Sequence, residues 1–448
     1  MTAKKLTFQQ KILVAGTLFG MFFGAGNLIF PVHLGQMAGR NVLPAMIGFI
    51  ITAVGIPIFG VAAIGATHSD GLQTLSSKVG KGYGVFFTCL LYLTIGPLFA
   101  IPRCATTSFT TGVTPMLTDA SREPLALLIF SAVFFAFVLF FSLRPGKITV
   151  WIGKIINPIF LLFLAVLVIR ALMHPGAAVS QVEPEAAYET GAFFSSFIEG
   201  YGTMDAIAGL AFGIVVIDVV REHGVKEPGR IAVNTARAGI FSCLFMGLIY
   251  LFITLVSAQS APICAGCING GEALGVIADY YFHSLGAILT AAIVTFACLK
   301  TAIGLVTSCS KAFVDMFPKG PGYRTWAILF SAASFGIANF GLNSIVAWCV
   351  PVLMFLYPLA ITLILLALFG KFFGHSRTVY VWTTGFTLIA AIFDMIGVVS
   401  GMAPGSTVLA ALTAFAQRII PFFSLGLGWV CPAAIGFLIG MLLRKKEQ

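Results

Sequence analysis

The chain has 448 residues, of which 59% are hydrophobic and only 9% are charged. Soluble domains carry about 25% charged residues, so this composition excludes a soluble globular protein and indicates a polytopic membrane protein. A net charge of +10 would suit a nucleic-acid-binding surface, but the basic residues are distributed along the chain in a way that excludes that class.

Apolar runs long enough to cross a bilayer as helices recur along the whole chain. They lie near residues 12–33, 42–66, 84–113, 125–143, 150–173, 192–218, 231–257, 282–310, 325–341, 344–370, 379–400 and 422–443. These runs predict an all-α polytopic membrane protein with about twelve transmembrane helices. The connections between the runs are short, so we expect no soluble domain.

The basic residues predict the orientation of the chain. With the N-terminus placed inside, twenty of the 26 Lys and Arg residues fall in inside segments. Outside lie only Arg40, Arg122, Arg170 and Arg418, while Arg103 and Lys300 lie within spans. This bias predicts that both termini are cytoplasmic. The first run is too long for a signal-peptide core, so we expect it to be retained as a helix.

The first span contains Gly24-Ala25-Gly26-Asn27 at its centre. Glycine and asparagine weaken a helix, and an unravelled backbone in hydrocarbon costs several kcal/mol per unsatisfied group. Such a break near the midplane is typical of a binding site. Gly16, Gly20 and Gly24 are also spaced as a small-residue face for helix packing, which is the alternative interpretation of those three glycines.

The sixth span repeats this pattern in Glu199-Gly200-Tyr201-Gly202-Thr203-Met204-Asp205. Two glycine-interrupted spans at corresponding positions of two halves indicate an inverted-repeat transporter. We therefore predict a 5+5 repeat with broken helices 1 and 6. Residues 1–173 would form the first repeat, 174–370 the second, and 371–448 two extra helices and a cytoplasmic tail.

Five ionisable residues fall within predicted spans, where they are costly and usually functional: Arg103, Glu199, Asp205, Lys300 and Asp394. Arg103 follows two prolines that predict a kink in the third span, and it either pairs with an acid such as Glu199 or Asp205 or acts in coupling. Glu199 and Asp205 could bind a substrate amino group, couple a proton or brace the broken segment. Asp394 is interpreted as structural.

Two further sets of residues leave alternatives open. Gly304, Thr307 and Ser308 in the eighth span could supply oxygen ligands to sodium, although hydroxyls in spans more often bond their own backbone. Cys264 and Cys267 lie in an outside loop, where they form either a disulfide or incidental thiols.

Several stretches together resemble the bacterial branched-chain amino acid:cation symporter family over essentially the full length. They are Phe19–Pro31, Gly96–Arg103, Gly200–Ala208, Thr301–Leu305 and Gly426-Leu427-Gly428-Trp429. This family is similar to transporters that share the sodium-coupled leucine transporter fold. The resemblance implies a bacterial inner membrane, whereas the charge pattern alone fits any plasma membrane.

The resemblance also implies roles for individual residues. A substrate carboxylate would meet the backbone around Phe22, Phe23, Gly24, Ala25, Gly26 and Asn27. The second break would add Glu199, Gly200, Tyr201 and Gly202, with Phe197 or Tyr201 packing on an aliphatic side chain. Carbonyls near Gly20 and Phe23 would join Gly304, Thr307 and Ser308 in a sodium site. Half-helix N-termini that face an anionic carboxylate are the physical reason for such a site.

Lys300 departs from the pattern of the family, where a small or hydroxylated residue is expected. A lysine one turn from Gly304 could replace a cation, make coupling proton-dependent, or extend into the outer vestibule. The coupling ion is therefore Na+ or H+, and the coupling candidates are Lys300, Arg103 and Asp205.

The sequence thus predicts a secondary transporter that imports leucine, isoleucine and valine, with other small neutral amino acids as the alternative substrates. A channel is disfavoured because no repeated filter motif is present. An enzyme is disfavoured because no metal set and no nucleophile–base pair is evident. No cofactor is expected besides the coupling ion, and the expected partners are the substrate, that ion and the lipid bilayer.

Overall fold

The computed structural model describes residues 7–67, 71–117, 119–144, 157–222, 225 and 228–444. The secondary structure within these ranges is helical. Outside these ranges lie, among others, residues 1–6, 145–156 and 445–448, which include parts of the predicted inside segments and the start of the predicted fifth span.

The first span is broken, as predicted from its glycines. Helix α1 (Phe8–Phe22) ends where Phe23 adopts an extended conformation, with ψ of 95°. Gly24 is extended as well, and α2 (Ala25–Ala38) begins directly after it. The break therefore lies at Phe23 and Gly24, directly at the start of the Gly24–Asn27 segment that the sequence singles out.

Further helices follow in chain order up to the middle of the chain. They are α3 (Val42–Ile50), α4 (Ile56–Ala66), α5 (Leu72–Ser76), α6 (Lys81–Leu93), α7 (Ala100–Gly112), α8 (Glu123–Ser142), α9 (Asn157–Met173) and α10 (Ala186–Glu189). Between α6 and α7 the chain forms a wide π turn at Thr94–Leu98 with a non-helical Gly96, which is the kink predicted from the neighbouring prolines.

The sixth span is broken too. Helix α11 (Ala192–Glu199) passes into a 3-10 turn at Gly200–Thr203. Met204 then takes a left-handed conformation with φ of 63°, and α12 (Asp205–Glu222) follows. A left-handed methionine is uncommon, so the surrounding contacts must hold this break in place.

The remaining helices complete the chain. They are α13 (Pro228–Gln259), α14 (Gly270–Met316), α15 (Tyr323–Ala338), α16 (Leu342–Leu368), α17 (Arg377–Met402), α18 (Thr407–Ile419) and α19 (Val430–Leu443). Helix α14 bends at His283, so Gly270 to Phe282 form a short helix ahead of the long one. Cys264 and Cys267, in the preceding loop, are free thiols in this structure.

The helix contacts show the pattern of an inverted repeat, in which the pieces of each broken helix pack on helices of the other half. Helix α2 packs on α13, and its counterpart α12 packs on α4. In the same way α1 packs on α13, while α11 packs on α3. Helices α7 and α14, the third span of each half, pack on each other along much of their length. These pairs place the two breaks side by side in the core.

Seven helical segments of the described chain are long and apolar enough to cross a membrane. The broken spans consist of pieces such as α1, with 15 residues, and α11, with 8 residues. The last span is also shorter than expected, because helix α19 begins only at Val430. The chain is a multi-pass membrane protein, and the count of twelve spans stays a prediction.

Candidate functional site

A cavity lies between the two breaks, and it is lined by α2, α7, α12 and α14. Its lining comprises Phe22, Gly24, Ala25, Gly26, Asn27, Ile95, Ala100, Arg103, Cys104, Thr203, Met204, Asp205, Ala208, Phe212, Thr301 and Leu305. The empty space between these residues, including the part open to the outside, is about 350 Å³.

The N-terminus of α2 faces this cavity. Some of the backbone groups there form hydrogen bonds with nearby side chains. The Gly24 N–H donates to Asn27 Oδ1 at 2.9 Å, so the asparagine caps the helix that it belongs to. The Phe23 carbonyl accepts a hydrogen bond from the Thr301 hydroxyl at 3.2 Å. The first-turn amides of a helix have no partner within the helix, so Ala25 and Gly26 can donate to an anion.

Asp205, at the first turn of α12, joins the two breaks and a third helix. Its Oδ2 accepts from Asn27 Nδ2 at 2.6 Å and from the Tyr250 hydroxyl at 2.9 Å. Asn27 also donates to Tyr250. The Asp205 side chain is 2% exposed and lines the cavity. This places a buried carboxyl group in the cavity wall, one hydrogen bond away from Asn27 in the first turn of α2.

Arg103 supplies the positive group of the site. Its Nη1 donates to the Gly202 carbonyl at 2.6 Å, and its Nη2 lies 3.5 Å from the Thr203 carbonyl. Its guanidinium carbon lies 5.3 Å from the centroid of the Phe30 ring. Arg103 therefore braces the second break through carbonyl groups. No salt bridge joins it to a carboxylate of the described chain, so its direct contacts at the break are with carbonyl oxygens rather than with Glu199 or Asp205.

The glycines of the breaks are needed for close approach. A Cβ added at Gly26 would lie 2.5 Å from Arg103 Nη2, and one at Gly24 would lie 2.8 Å from Thr301 Cγ2. A Cβ at Gly202 would collide with the Phe30 ring. By contrast, a Cβ at Gly16 would meet none of the described residues within 4 Å. The break therefore explains Gly24 and Gly26.

Glu199 lies outside the cavity lining. Its Oε1 is 2.6 Å from His33 Nδ1, and its Oε2 accepts from the Tyr188 hydroxyl. These contacts fasten α11 to α2 and to α10. The structure thus gives Glu199 a bracing role, which is one of the three roles considered from the sequence.

The aromatic residues predicted at the second break pack beside it. The Tyr201 ring stacks on Tyr357 with a centroid distance of 4.1 Å, and Phe197 meets Tyr201 edge-on at 5.9 Å. Neither Tyr201 nor Phe197 belongs to the cavity lining, and neither do Phe23, Gly200 and Gly202. The apolar wall of the cavity consists instead of residues such as Phe22, Phe212 and Leu305.

The residues predicted to bind sodium do not present all their oxygens to the first break. The hydroxyl that meets the Phe23 carbonyl belongs to Thr301. Thr307 follows six residues later, which turns its side chain about 120° away around α14, whereas Ser308 returns to the face of Thr301 two turns further on. The Thr307 hydroxyl is buried without a hydrogen-bond partner in the described chain. The roles of Gly20, Gly304 and Ser308 as sodium ligands stay predictions.

Lys300 is buried on the same turn of α14 as Thr301. Its side chain is 1% exposed, and Nζ lies 5.7 Å from the centroid of the Phe19 ring. A cation over an aromatic ring gains electrostatic stabilisation. Lys300 thus points into the core beside α1, so the alternative in which it extends into the outer vestibule is wrong.

Sequence reasoning missed several residues of the site. Thr301, Thr203, Tyr250 and His33 all make hydrogen bonds at or near the breaks. Thr301 could have been singled out from the sequence, because its hydroxyl directly follows Lys300, an unexpected lysine within a predicted span. The sequence contains no comparable signal for Tyr250, because its partner Asp205 lies 45 residues away.

The sequence of the chain matches a known protein family and several known proteins. The sequence profile of the family described as branched-chain amino acid transport protein matches residues 8–447. The chain belongs to this family. It is 46% identical to the branched-chain amino acid permease BrnQ of Lactobacillus delbrueckii subsp. lactis, with 99% of both chains covered. It is 37% identical to BrnQ of Bacillus subtilis, with 98% of both chains covered, and the relatives are named as permeases rather than enzymes.

A solved structure confirms the fold of this member of the branched-chain amino acid transport protein family. The chain resembles Mhp1, a nucleobase-cation-symport-1 family transporter, in a closed conformation with bromovinylhydantoin bound. The TM-score is 0.61 at 15% sequence identity, with 96% of this chain and 91% of Mhp1 covered. The leucine transporter fold with broken helices 1 and 6, expected from the resemblance, is therefore confirmed.

Proposed function

We propose that this chain imports leucine, isoleucine and valine by symport with a cation, by alternating access around the cavity between the two breaks. The observation that carries the proposal is the arrangement of charges in an apolar cavity. The helix α2 N-terminus and Arg103 provide a positive side, and Asp205 provides a negative side. The names of its relatives, branched-chain amino acid permeases, support the same substrate class.

The zwitterion of an amino acid complements these two sides. Its carboxylate would accept from the Ala25 and Gly26 amides, where the helix dipole favours an anion. The Arg103 guanidinium lies against Gly26 and adds a positive charge at that end. The ammonium group would face the Asp205 carboxylate. This orientation leaves the substrate side chain towards the apolar wall.

The apolar wall supports an aliphatic side chain. Ile95, Met204, Ala208, Phe212 and Leu305 are among the residues that line the cavity. Apolar pockets separate ligands that differ by one methylene by only about 1–3 kcal/mol. Leucine, isoleucine and valine should therefore share the site, whereas charged amino acids would be excluded by desolvation.

Sodium is proposed as the coupling ion, with H+ as the alternative that Lys300 raises. Carbonyl oxygens at the end of α1 and hydroxyls of α14, among them Ser308, supply the hard oxygen ligands that sodium prefers. Lys300 lies on the same stretch of α14 and is buried. A fixed ammonium group at this level would take the place of a bound cation, and its deprotonation would couple transport to H+.

The test is leucine uptake into proteoliposomes with a sodium gradient or a proton gradient imposed separately, for the native chain and for Lys300→Thr. We expect sodium-driven uptake in the native chain that valine and isoleucine inhibit. Proton-driven uptake that becomes sodium-driven in Lys300→Thr would instead assign the place of the ion to Lys300. No leucine uptake under either gradient would overturn the proposed function.

A separate experiment on bacterial cells that express the chain tests the proposed orientation in the inner membrane with both termini cytoplasmic. A protease site fused to either terminus is expected to be cleaved in inverted membrane vesicles and protected in spheroplasts. Cleavage of a terminus from the outside in intact spheroplasts would contradict that topology.

A further inference from the structure

The segment of residues 179–189, called the strap below, lies between α9 and α11 and is bonded to the end of α2. The Arg40 N–H donates to the Val182 carbonyl at 2.8 Å. The Glu185 N–H donates to the Met37 carbonyl at 2.9 Å. These bonds join backbone to backbone, so the place of the strap on α2 does not depend on exposed side chains.

Two side chains that follow α2 add to these backbone bonds. Asn41 Nδ2 donates to the carbonyl oxygens of Tyr188 and Glu189, at 2.9 and 3.0 Å. Arg40 Nη1 lies 2.8 Å from Glu183 Oε1, but these side chains are 47% and 74% exposed. Exposed ion pairs are worth only about 0–1 kcal/mol. The Asn41 amide is therefore the side chain that fixes the part of the strap that carries Tyr188.

Tyr188 connects the strap to the second break. Its side chain is buried, and its hydroxyl donates to Glu199 Oε2. The other oxygen of this carboxylate, Oε1, lies 2.6 Å from His33 Nδ1 of α2. Glu199 is the last residue of α11, and the 3-10 turn of the break begins at Gly200. One carboxylate is thus held from two sides at the point where the helix ends.

The position of Glu199 matters for the cavity because the break follows it directly. Helix α11 has only 8 residues, and so short a helix depends on tertiary contacts for its stability. Thr203 and Asp205, which line the cavity, follow shortly after Glu199 in the chain. A displacement at the end of α11 would therefore reach the cavity wall through the 3-10 turn.

We propose that the strap is part of the transport machinery and that Tyr188 is a positioning residue, which acts through Glu199 to hold the second break in its substrate-binding conformation. The strap itself lies outside the cavity and contributes no residue to its lining. The proposal rests on the proposed function only where its effect is read as leucine affinity, because the conformation of the break can be measured without any substrate.

The experiment compares Tyr188→Phe, Asn41→Ala and the double variant with the native chain. Glu183→Gln is the matched control, because it lies on the same strap and removes only the exposed ion pair. Hydrogen–deuterium exchange of the purified protein in nanodiscs, without leucine, reports the backbone amides of residues 200–204. Leucine uptake in proteoliposomes, with the amount of inserted protein quantified for each variant, reports KM and the maximal rate.

Tyr188→Phe should speed exchange at residues 200–204 and raise the leucine KM by roughly three- to tenfold, which corresponds to the loss of one buried hydrogen bond. The maximal rate per inserted protein should stay close to the native value, whereas a merely structural defect would lower the amount of inserted protein and leave KM unchanged. Asn41→Ala should act in the same direction. The double variant should be no worse than Tyr188→Phe, because Asn41 acts through Tyr188. Glu183→Gln should match the native chain in both measurements.

Native exchange at residues 200–204 in Tyr188→Phe, or effects on KM that multiply in the double variant, would overturn the proposal. An equal effect of Glu183→Gln would overturn the assignment to Tyr188. Absence of leucine uptake in the native chain would overturn the proposed function, while the exchange result would still decide whether the strap holds the break.

Discussion

Replacing Gly26 with alanine is expected to lower leucine uptake by about tenfold or more, which corresponds to the roughly 1–3 kcal/mol that overpacking costs. The added Cβ would lie 2.5 Å from Arg103 Nη2 and 3.2 Å from the Thr203 Cα. Arg103 is 3% exposed and bonded to the Gly202 carbonyl at 2.6 Å, so it cannot move without releasing the second break. Initial uptake rates in proteoliposomes, normalised to protein amount, measure the effect.

Gly16→Ala is the matched control for this prediction. Gly16 lies in the same span, and a Cβ there meets no atom of the described chain within 4 Å. Its substitution should leave uptake within about twofold of the native rate, since alanine also favours the helix by about 1 kcal/mol. Equal impairment of the two variants would show that the glycines matter for helix packing rather than for the contact between the breaks.

Replacing Asp205 with asparagine is expected to raise the leucine KM by roughly 30-fold or more, because a buried hydrogen-bonded charge is worth about 2–5 kcal/mol at an interface. The substitution removes the carboxylate from the cavity wall and disturbs the hydrogen bonds from Asn27 and Tyr250. Tyr250→Phe removes only one of those bonds and should raise KM by roughly three- to tenfold. Uptake kinetics over a range of leucine concentrations measure both variants.

Asp279→Asn is the control for charge alone, since Asp279 is an exposed carboxylate on α14. It should leave KM unchanged. If Asp205→Asn transports leucine with the native KM while Tyr250→Phe is also unaffected, the ammonium group does not bind at Asp205. The assignment of the two ends of the cavity would then have to be reversed or abandoned.

The breaks in the first and sixth spans could be predicted from the sequence because the physical cost is local. Gly24, Gly26 and Asn27 weaken the helix where they stand, and a bilayer offers no water to satisfy the freed backbone groups. The same reasoning predicts the kink before Arg103 from its prolines. These features depend on a few neighbouring residues, so a single sequence contains them.

The partners of the polar residues could not be predicted in the same way. Arg103 bonds to carbonyls of Gly202 and Thr203 rather than to an acid, and these carbonyls exist as acceptors only once the sixth helix is broken. Glu199 pairs with His33, which lies 166 residues away. Such pairs depend on how separate helices pack. Neither composition nor residue spacing indicates which residues of two helices face each other.

The most direct test of the central claim is a cryo-electron microscopy structure of the chain in nanodiscs with saturating leucine. The proposed site predicts density for one leucine between the two breaks, with its carboxylate at the Ala25 and Gly26 amides beside Arg103. Its ammonium group would face Asp205, and its side chain would contact Phe212 and Leu305. Leucine bound elsewhere, or a cavity that stays empty at a concentration that saturates transport, would contradict the proposed site.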